Sequence, residues 1–438
     1  VNKRSDADYT AIIASLKNFP ESEEPAILDL TNPVTAEMAA ETGATLYVAS
    51  GQNGDGSSWD NAFGAIQDAV NYANASYAAK GEVVQIWVSQ GTYVPGTERN
   101  DSIVLREGVE LYGGFAGTET SLDQRAIDEN KTVLSGDIGV AGDMSDNSYH
   151  VLIGANNAVL DGFTVTGGNA DKKDGGEVYD NKGGAILNYY AGYRIMPNIA
   201  LYEASGYGAM PSQYPIGFDT VVRNCTFTNN HAVEGGVIFT YHGGNPVLEN
   251  CEFSNNTSEY GAVAVDRCGT NSKYTDCTFV NNKANYKGGA LFVDYGSMAT
   301  VTSCAFKNNV SGSAGGAIYV IDRASQDSTN ETDIHLIDPT WPLPSDIFSS
   351  VLVVARNFEN NKAGSNGGAI YVYESSNAKT VDTRFSGNEA KINGGALGVF
   401  NSANAIISNC DFSDNTPDET YKSDNGSTIT ITDAAESE

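Results

Sequence analysis

NCTFTNN (224–230), NCEFSNN (250–256), DCTFVNN (276–282) and SCAFKNN (303–309) state one motif four times in succession. RNFENN (356–361), TRFSGN (383–388) and NCDFSDN (409–415) state it three times more. The phenylalanines are Phe227, Phe253, Phe279, Phe306, Phe358, Phe385 and Phe412, at spacings of 26, 26, 27, 52, 27 and 27. One interval therefore carries an insertion about one repeat long. A fixed period in this range is the mark of a solenoid. After each Asn-Asn come a few small or charged residues, a Gly-Gly-Ala step and a short apolar run.

The residues also choose among solenoids. Cys, Phe and the first Asn of each copy stand two apart, which is the periodicity of a strand. Val, Thr, Ile and aromatics fill the short runs, and Asn and Gly punctuate them. No run within the repeats has the period and length of a helix, which excludes helical arrays, and the leucine-rich pattern is absent. What remains is a parallel β-helix whose coils stack about 4.8 Å apart, so that identical residues form ladders. Asn230, Asn256, Asn282, Asn309, Asn361, Asn388 and Asn415 are expected to form an amide ladder at one corner and to take the left-handed geometry it needs. Gly-Gly pairs at 235–236, 288–289, 315–316, 367–368 and 394–395 are expected at the next corner.

The paired F-x-x-N and G-G-A-[IL] motifs resemble the repeat of polymorphic membrane proteins and of related bacterial secreted and surface β-helices, within the pectin-lyase-like fold. LYGGFAGTET (111–120), TVLSGDIG (132–139), NSYHVLIG (147–154) and AVLDGFTVTGGNA (158–170) are similar to the same group, so the likeness covers roughly residues 45–432. It implies an all-β chain forming a single right-handed parallel β-helix, and an extracellular or cell-surface location. Handedness and export rest on the resemblance, together with the usual right-handed crossover.

The chain has 438 residues and a formal charge of −30, from 55 acidic and 25 basic side chains. That balance excludes nucleic-acid binding, which needs a basic surface. Strong acidity suits solubility or calcium binding, and no cofactor is evident beyond that calcium. No stretch reaches the ~18 apolar residues of a membrane span. No leader is present, but Val1 is not a natural start, which fits a leader already removed. Five of the six cysteines, Cys225, Cys251, Cys277, Cys304 and Cys410, stand two before a repeat Phe. Stacked one per coil, they are spaced too widely for disulfides and read as buried thiols, and the spacing does not suit zinc.

Residues 1–43 read as a short helix, with Tyr9, Ile12, Ile13 and Leu16 on one face, followed by a Pro/Glu linker. The β-helix is expected to occupy 44–438. Phe63, Ile66, Val70 and Ala73 mark an amphipathic helix near 60–78, suited to capping the open end. Two aromatic, Pro-containing insertions, near 189–218 and 322–347, both follow a Gly-Gly-Ala-Ile strand. Insertions at one repeat position map to one corner.

Aligning the coils at Gly-Gly places Tyr241 and His242, Asp266 and Arg267, Asp294 and Tyr295, and Asp322 at that corner, with Trp341 in the second insertion. Mixed acids, Arg and His walled by aromatics suit a groove for an extracellular polysaccharide or a host or cell-surface protein. An adhesin-like function follows. Two alternatives stay open. Paired carboxylates such as Asp266 and Asp294 could serve a glycosidase, or Arg267 or His242 a lyase acting on an acidic glycan. A structural stalk or spacer would need no groove. Polygalacturonase and pectate-lyase signatures are absent, and the four histidines show no nucleophile motif.

Overall fold

A computed structural model of the chain describes residues 45–80, 82–172, 179–188, 219–241, 243–322, 348–423 and 426–432. All lie in one unit, residues 43–327 with 348–438. The expected N-terminal helix and linker, most of both insertions, His242 and Trp341 fall outside the described residues.

From the coil that begins at Val159–Asp161 to the one that begins at Asn377–Val381, the chain visits four parallel sheets in a fixed order. In one coil, Val221–Arg223 belongs to sheet 1, Thr226–Thr228 to sheet 2, His231–Glu234 to sheet 3 and Ile238–Tyr241 to sheet 4. Among the described residues the sheets hold 12, 10, 7 and 10 strands respectively. The parallel β-helix expected from the repeat is what forms.

The register is that of the repeat. Phe227 pairs with Phe253, Phe253 with Phe279, Phe279 with Phe306, and Phe306 directly with Phe358 across the long interval. The insertion therefore adds no coil. The rings stack face to face, with centroids 4.3 Å apart for Phe279–Phe306 and 4.6 Å for Phe306–Phe358. Upstream, Val165 and Leu134 continue this column.

The amide ladder forms beside it. In one rung the Asn256 N–H and Nδ2 both donate to Asn282 Oδ1, at 3.1 and 3.1 Å, while Asn282 Nδ2 donates to Phe253 O at 2.9 Å. A fully paired buried amide holds its neighbours rigidly. One expectation needs correction. The left-handed residue is the asparagine before the laddered one, Asn229, Asn255, Asn281, Asn308 and Asn360. Turning the chain there lets the next side chain face inward. At the following corner Gly235, Gly261, Gly288, Gly315, Gly367 and Gly394 all have φ between 56° and 68°. Ala262 stands at the second position in one coil, so the first glycine is the strict one.

The cysteines are thiols, with no disulfide among them. Cys225, Cys251, Cys277 and Cys304 are buried, whereas Cys410 is only half-buried in a late coil. Burial pushes the Cys225 thiol up to about 12, and thiols hydrogen-bond carbonyls, as in Cys277 Sγ to Leu248 O at 3.4 Å.

The cap is a helix, α1, spanning Ile66–Lys80. Ile66, Ala69, Val70 and Ala73 join the core. Phe63 precedes the helix, bridging Val48 in a strand-like step. Gln67 Oε1 accepts the Val104 N–H at 2.8 Å, in the edge strand Ile103–Val104 of sheet 4. The helix thus covers apolar edge residues and satisfies an edge donor.

The change of period from 26 to 27 has a location. Thr257 pairs with Lys283, an offset of 26, but Tyr260 pairs with Lys287, an offset of 27. The extra residue bulges outward in sheet 3, where Tyr286 is exposed.

Candidate functional site

Sheet 4 carries most of the residues singled out at the corner. Pairing runs Ala264–Leu291, Val265–Phe292, Asp266–Val293 and Arg267–Asp294. Asp266 and Asp294 are therefore one residue out of step, and in a strand one step changes the face. The expected exposed floor carrying both carboxylates does not exist.

Asp266 points into the solenoid, in the column of Thr240 and Val293. It is fully buried, and its partners are two hydroxyls: Ser272 Oγ at 2.5 Å and Tyr274 Oη at 3.1 Å. Burial pushes its carboxyl up to about 7 against the pull of those hydrogen bonds, with the Asp294 charge adding to the rise. The next interior rungs are also polar: Thr220 Oγ1 donates to Asn188 Oδ1 at 2.7 Å. Asp266 is an interior group and meets no ligand from solvent.

Asp294 lies on the opposite, outer face and is also fully buried. Arg267 Nε reaches Asp294 Oδ1 and Oδ2, both at 3.0 Å, and Arg267 Nη1 reaches Glu234 Oε2 at 2.6 Å. Lys182 Nζ stands 3.3 Å from the same Glu234 oxygen. Burial works against the guanidinium charge, but Asp294 and Glu234 outweigh it and hold Arg267 well above its usual range. Aromatic faces close the group: the Arg267 guanidinium is 5.8 Å from the rings of Phe239 and Tyr295, and Lys182 is 5.1 Å from Phe239. This is a saturated network of two cations and two carboxylates.

Tyr241 shares the Arg267 column and is buried. Tyr295 and Glu374 sit at the corner beyond the strand in the left-handed conformation, both half-buried, and Asp322 is buried nearby in sequence to Ile321. The structure thus divides the predicted cluster among the interior, the outer face and the corner. Sequence reasoning missed Glu234 and Lys182. They precede the Gly-Gly step of their coils, and their relation to Arg267 spans several coils. No group of three His, Cys, Asp or Glu side chains is arranged for a metal ion among the described residues. No helix among them is long and apolar enough to cross a membrane.

Comparison with known families agrees with this architecture. Residues 162–333 match the model described as the right handed beta helix region. The chain carries a right-handed β-helix. Residues 357–373, within that β-helix, match the Chlamydia polymorphic membrane protein repeat. No curated protein matches in sequence. Three solved structures share a distant likeness. The Agl-KA catalytic domain is 10% identical, with 84% of this chain and 66% of that one covered and a TM-score of 0.29. The mannuronan C-5 epimerase AlgE4 A-module of Azotobacter vinelandii is 14% identical over 88% and 100%, with a TM-score of 0.27. PfbA, a surface adhesin of Streptococcus pneumoniae, is 10% identical over 82% and 89%, with a TM-score of 0.25. At such scores none of the three bears on activity.

Proposed function

We propose that this chain is the rod of a cell-surface protein, adhesin-like, which retains an extracellular glycan or a partner protein without chemically altering it. The match to the polymorphic membrane protein repeat supports the surface location. The observation that carries the non-catalytic reading is the fate of the two candidate carboxylates. Both Asp294 oxygens are held by Arg267, and Asp266 is enclosed with Ser272 and Tyr274. A glycosidase needs two carboxyl groups facing one sugar, and these face opposite sides of a sheet. On this reading contact is made at the corner, where Tyr295 and Glu374 are half-buried, and not along the strands.

The test is a screen of glycans, uronate polymers and extracellular proteins that records retention and product release together. Retention without new reducing ends or unsaturated uronates, weakened in Tyr295→Ala and Glu374→Ala, is the expected result. Product release would replace this reading with a lyase or hydrolase. Failure to retain any class of ligand would leave a spacer.

A further inference from the structure

The extra residue of the 27-residue coils forms a column of its own, two positions before the first corner glycine. The Ser313 N–H donates to Tyr286 O at 2.8 Å, the Ser365 N–H to Ser313 O at 2.6 Å, and the Ile392 N–H to Ser365 O at 2.7 Å. The column is uneven. Tyr286 and Ile392 are 52% and 56% exposed, whereas the two serines between them are small and half-buried. Three coil steps separate the large residues, so they stand about 14 Å apart as the walls of a notch.

The floor of the notch cannot rise. Gly312 and Gly364 run beside the serines, their N–H groups bonded to Ala284 O and Ser311 O, both at 3.0 Å. A Cβ on Gly312 would collide with the Asn285 carbonyl, and one on Gly364 with the Gly312 carbonyl. Next to Ser365 and Ile392, Asn393 Nδ2 donates to Asn366 Oδ1 at 3.3 Å, a bond that uses only part of either amide's capacity. A single exposed apolar side chain needs no explanation. Two of them, at either end of a low polar floor, make a site of definite shape.

Tyr286 selects the class of occupant. Its ring stacks on Tyr260, with centroids 5.5 Å apart and planes 29° apart. Tyr260 belongs to the preceding coil, so the opposite face of Tyr286 is turned toward the Ser313 step. An aromatic face beside hydroxyls and amides suits a pyranose, which has an apolar face and a hydroxyl rim. An aliphatic side chain would cover the ring but leave the serines and amides without partners. The formal charge of −30 repels polyanions, which favours an uncharged sugar. We propose that the notch between Tyr286 and Ile392 is a subsite for a neutral glycan, one sugar ring stacking on Tyr286 above Ser313 while the glycan crosses the rod. It takes up the glycan half of the reading above at a different corner from Tyr295 and Glu374, and each can fail without the other.

The experiment titrates the full chain by calorimetry with cellotetraose, chitotetraose, mannotetraose and tetragalacturonate, with thermal melting in parallel. The expected result is saturable binding of a neutral tetrasaccharide, weakened about tenfold in Tyr286→Ala and kept in Tyr286→Phe. Ser313→Phe, which fills the notch, should weaken it as much while melting as the parent does. Tyr72→Ala removes a tyrosine just as exposed, at 53%, from the cap helix and should bind as the parent does. No binding of any neutral tetrasaccharide at millimolar concentration, or tighter binding of tetragalacturonate, would overturn the proposal. So would parent-like binding in both Tyr286→Ala and Ser313→Phe; if Tyr295→Ala then lost the ligand, the notch would fall and the corner would stand.

Discussion

Sheets 2 and 4 belong to the same coils and have ten strands each, yet their outer faces differ. In sheet 2 a strand such as Thr278–Val280 buries only its central Phe279 and leaves its flanking residues partly exposed. In sheet 4 the strands Ile238–Tyr241, Ala264–Arg267, Leu291–Asp294 and Ile318–Ile321 are buried at every position. Their outward column, Phe239, Val265, Phe292 and Tyr319, continued by Tyr371 in the next coil, is aromatic but for Val265 and withdrawn from solvent. Phe292 and Tyr319 stack at 5.3 Å, much as the inner phenylalanines do. Alternation marks a wall between core and water; an unbroken apolar run marks a wall shielded on both sides.

The largest expected effects break or sharpen that contrast directly. Phe279→Ala removes a rung of the inner ladder and should cost about 4 kcal/mol in urea unfolding. Phe292→Ala should cost nearly as much, about 3 kcal/mol. A loss below about 1 kcal/mol would mean that the outer face of sheet 4 behaves as ordinary surface.

Next come the two carboxylates on opposite faces. Asp294→Ala strands a buried guanidinium and should cost about 3 kcal/mol, mostly recovered when Arg267→Met is added. Asp266→Asn should act through pH instead. Its carboxyl is raised from 3.8 to about 7 in the fold, so the folded chain binds more protons than the unfolded chain between those values. Stability should therefore fall as pH rises from about 4 to about 7, by up to about 4 kcal/mol, and Asp266→Asn should flatten that fall. A parent chain whose melting temperature is constant over this window would contradict the assignment.

The smallest effect concerns the thiols, where no change in stability is involved. Denatured chain should titrate 6 cysteines, whereas folded chain should label Cys410 first and the buried Cys251, Cys277 and Cys304 far more slowly. Mass spectrometry of partly labelled protein reads the order.

The ladders were legible because period alone dictates them. Phe, Asn and Gly recur at fixed intervals, and stacking coils put like on like. The face of Asp266 could also have been read. Counted from Gly261 it is the fifth residue on, matching Val293 counted from Gly288, while Asp294 matches Arg267. Pairing the residues by chemical likeness instead shifted the register by one. The unbroken apolar runs after Gly-Gly-Ala signalled double burial as well. The Arg267 network was not legible, since Glu234 and Lys182 meet it only once several coils are stacked. His242 and Trp341 lie outside the described residues.

The bulge at Tyr286 says something about how such a chain can change over generations. A lone residue gained in most strands would throw every later rung out of phase, exchanging inside for outside from there onward. Here the surplus is taken up at one outward step, and the next glycine restores the count. Slippage in copying that lands in this step leaves the interior in tune, so gene-level length drift is expected to accumulate there and to be purged elsewhere.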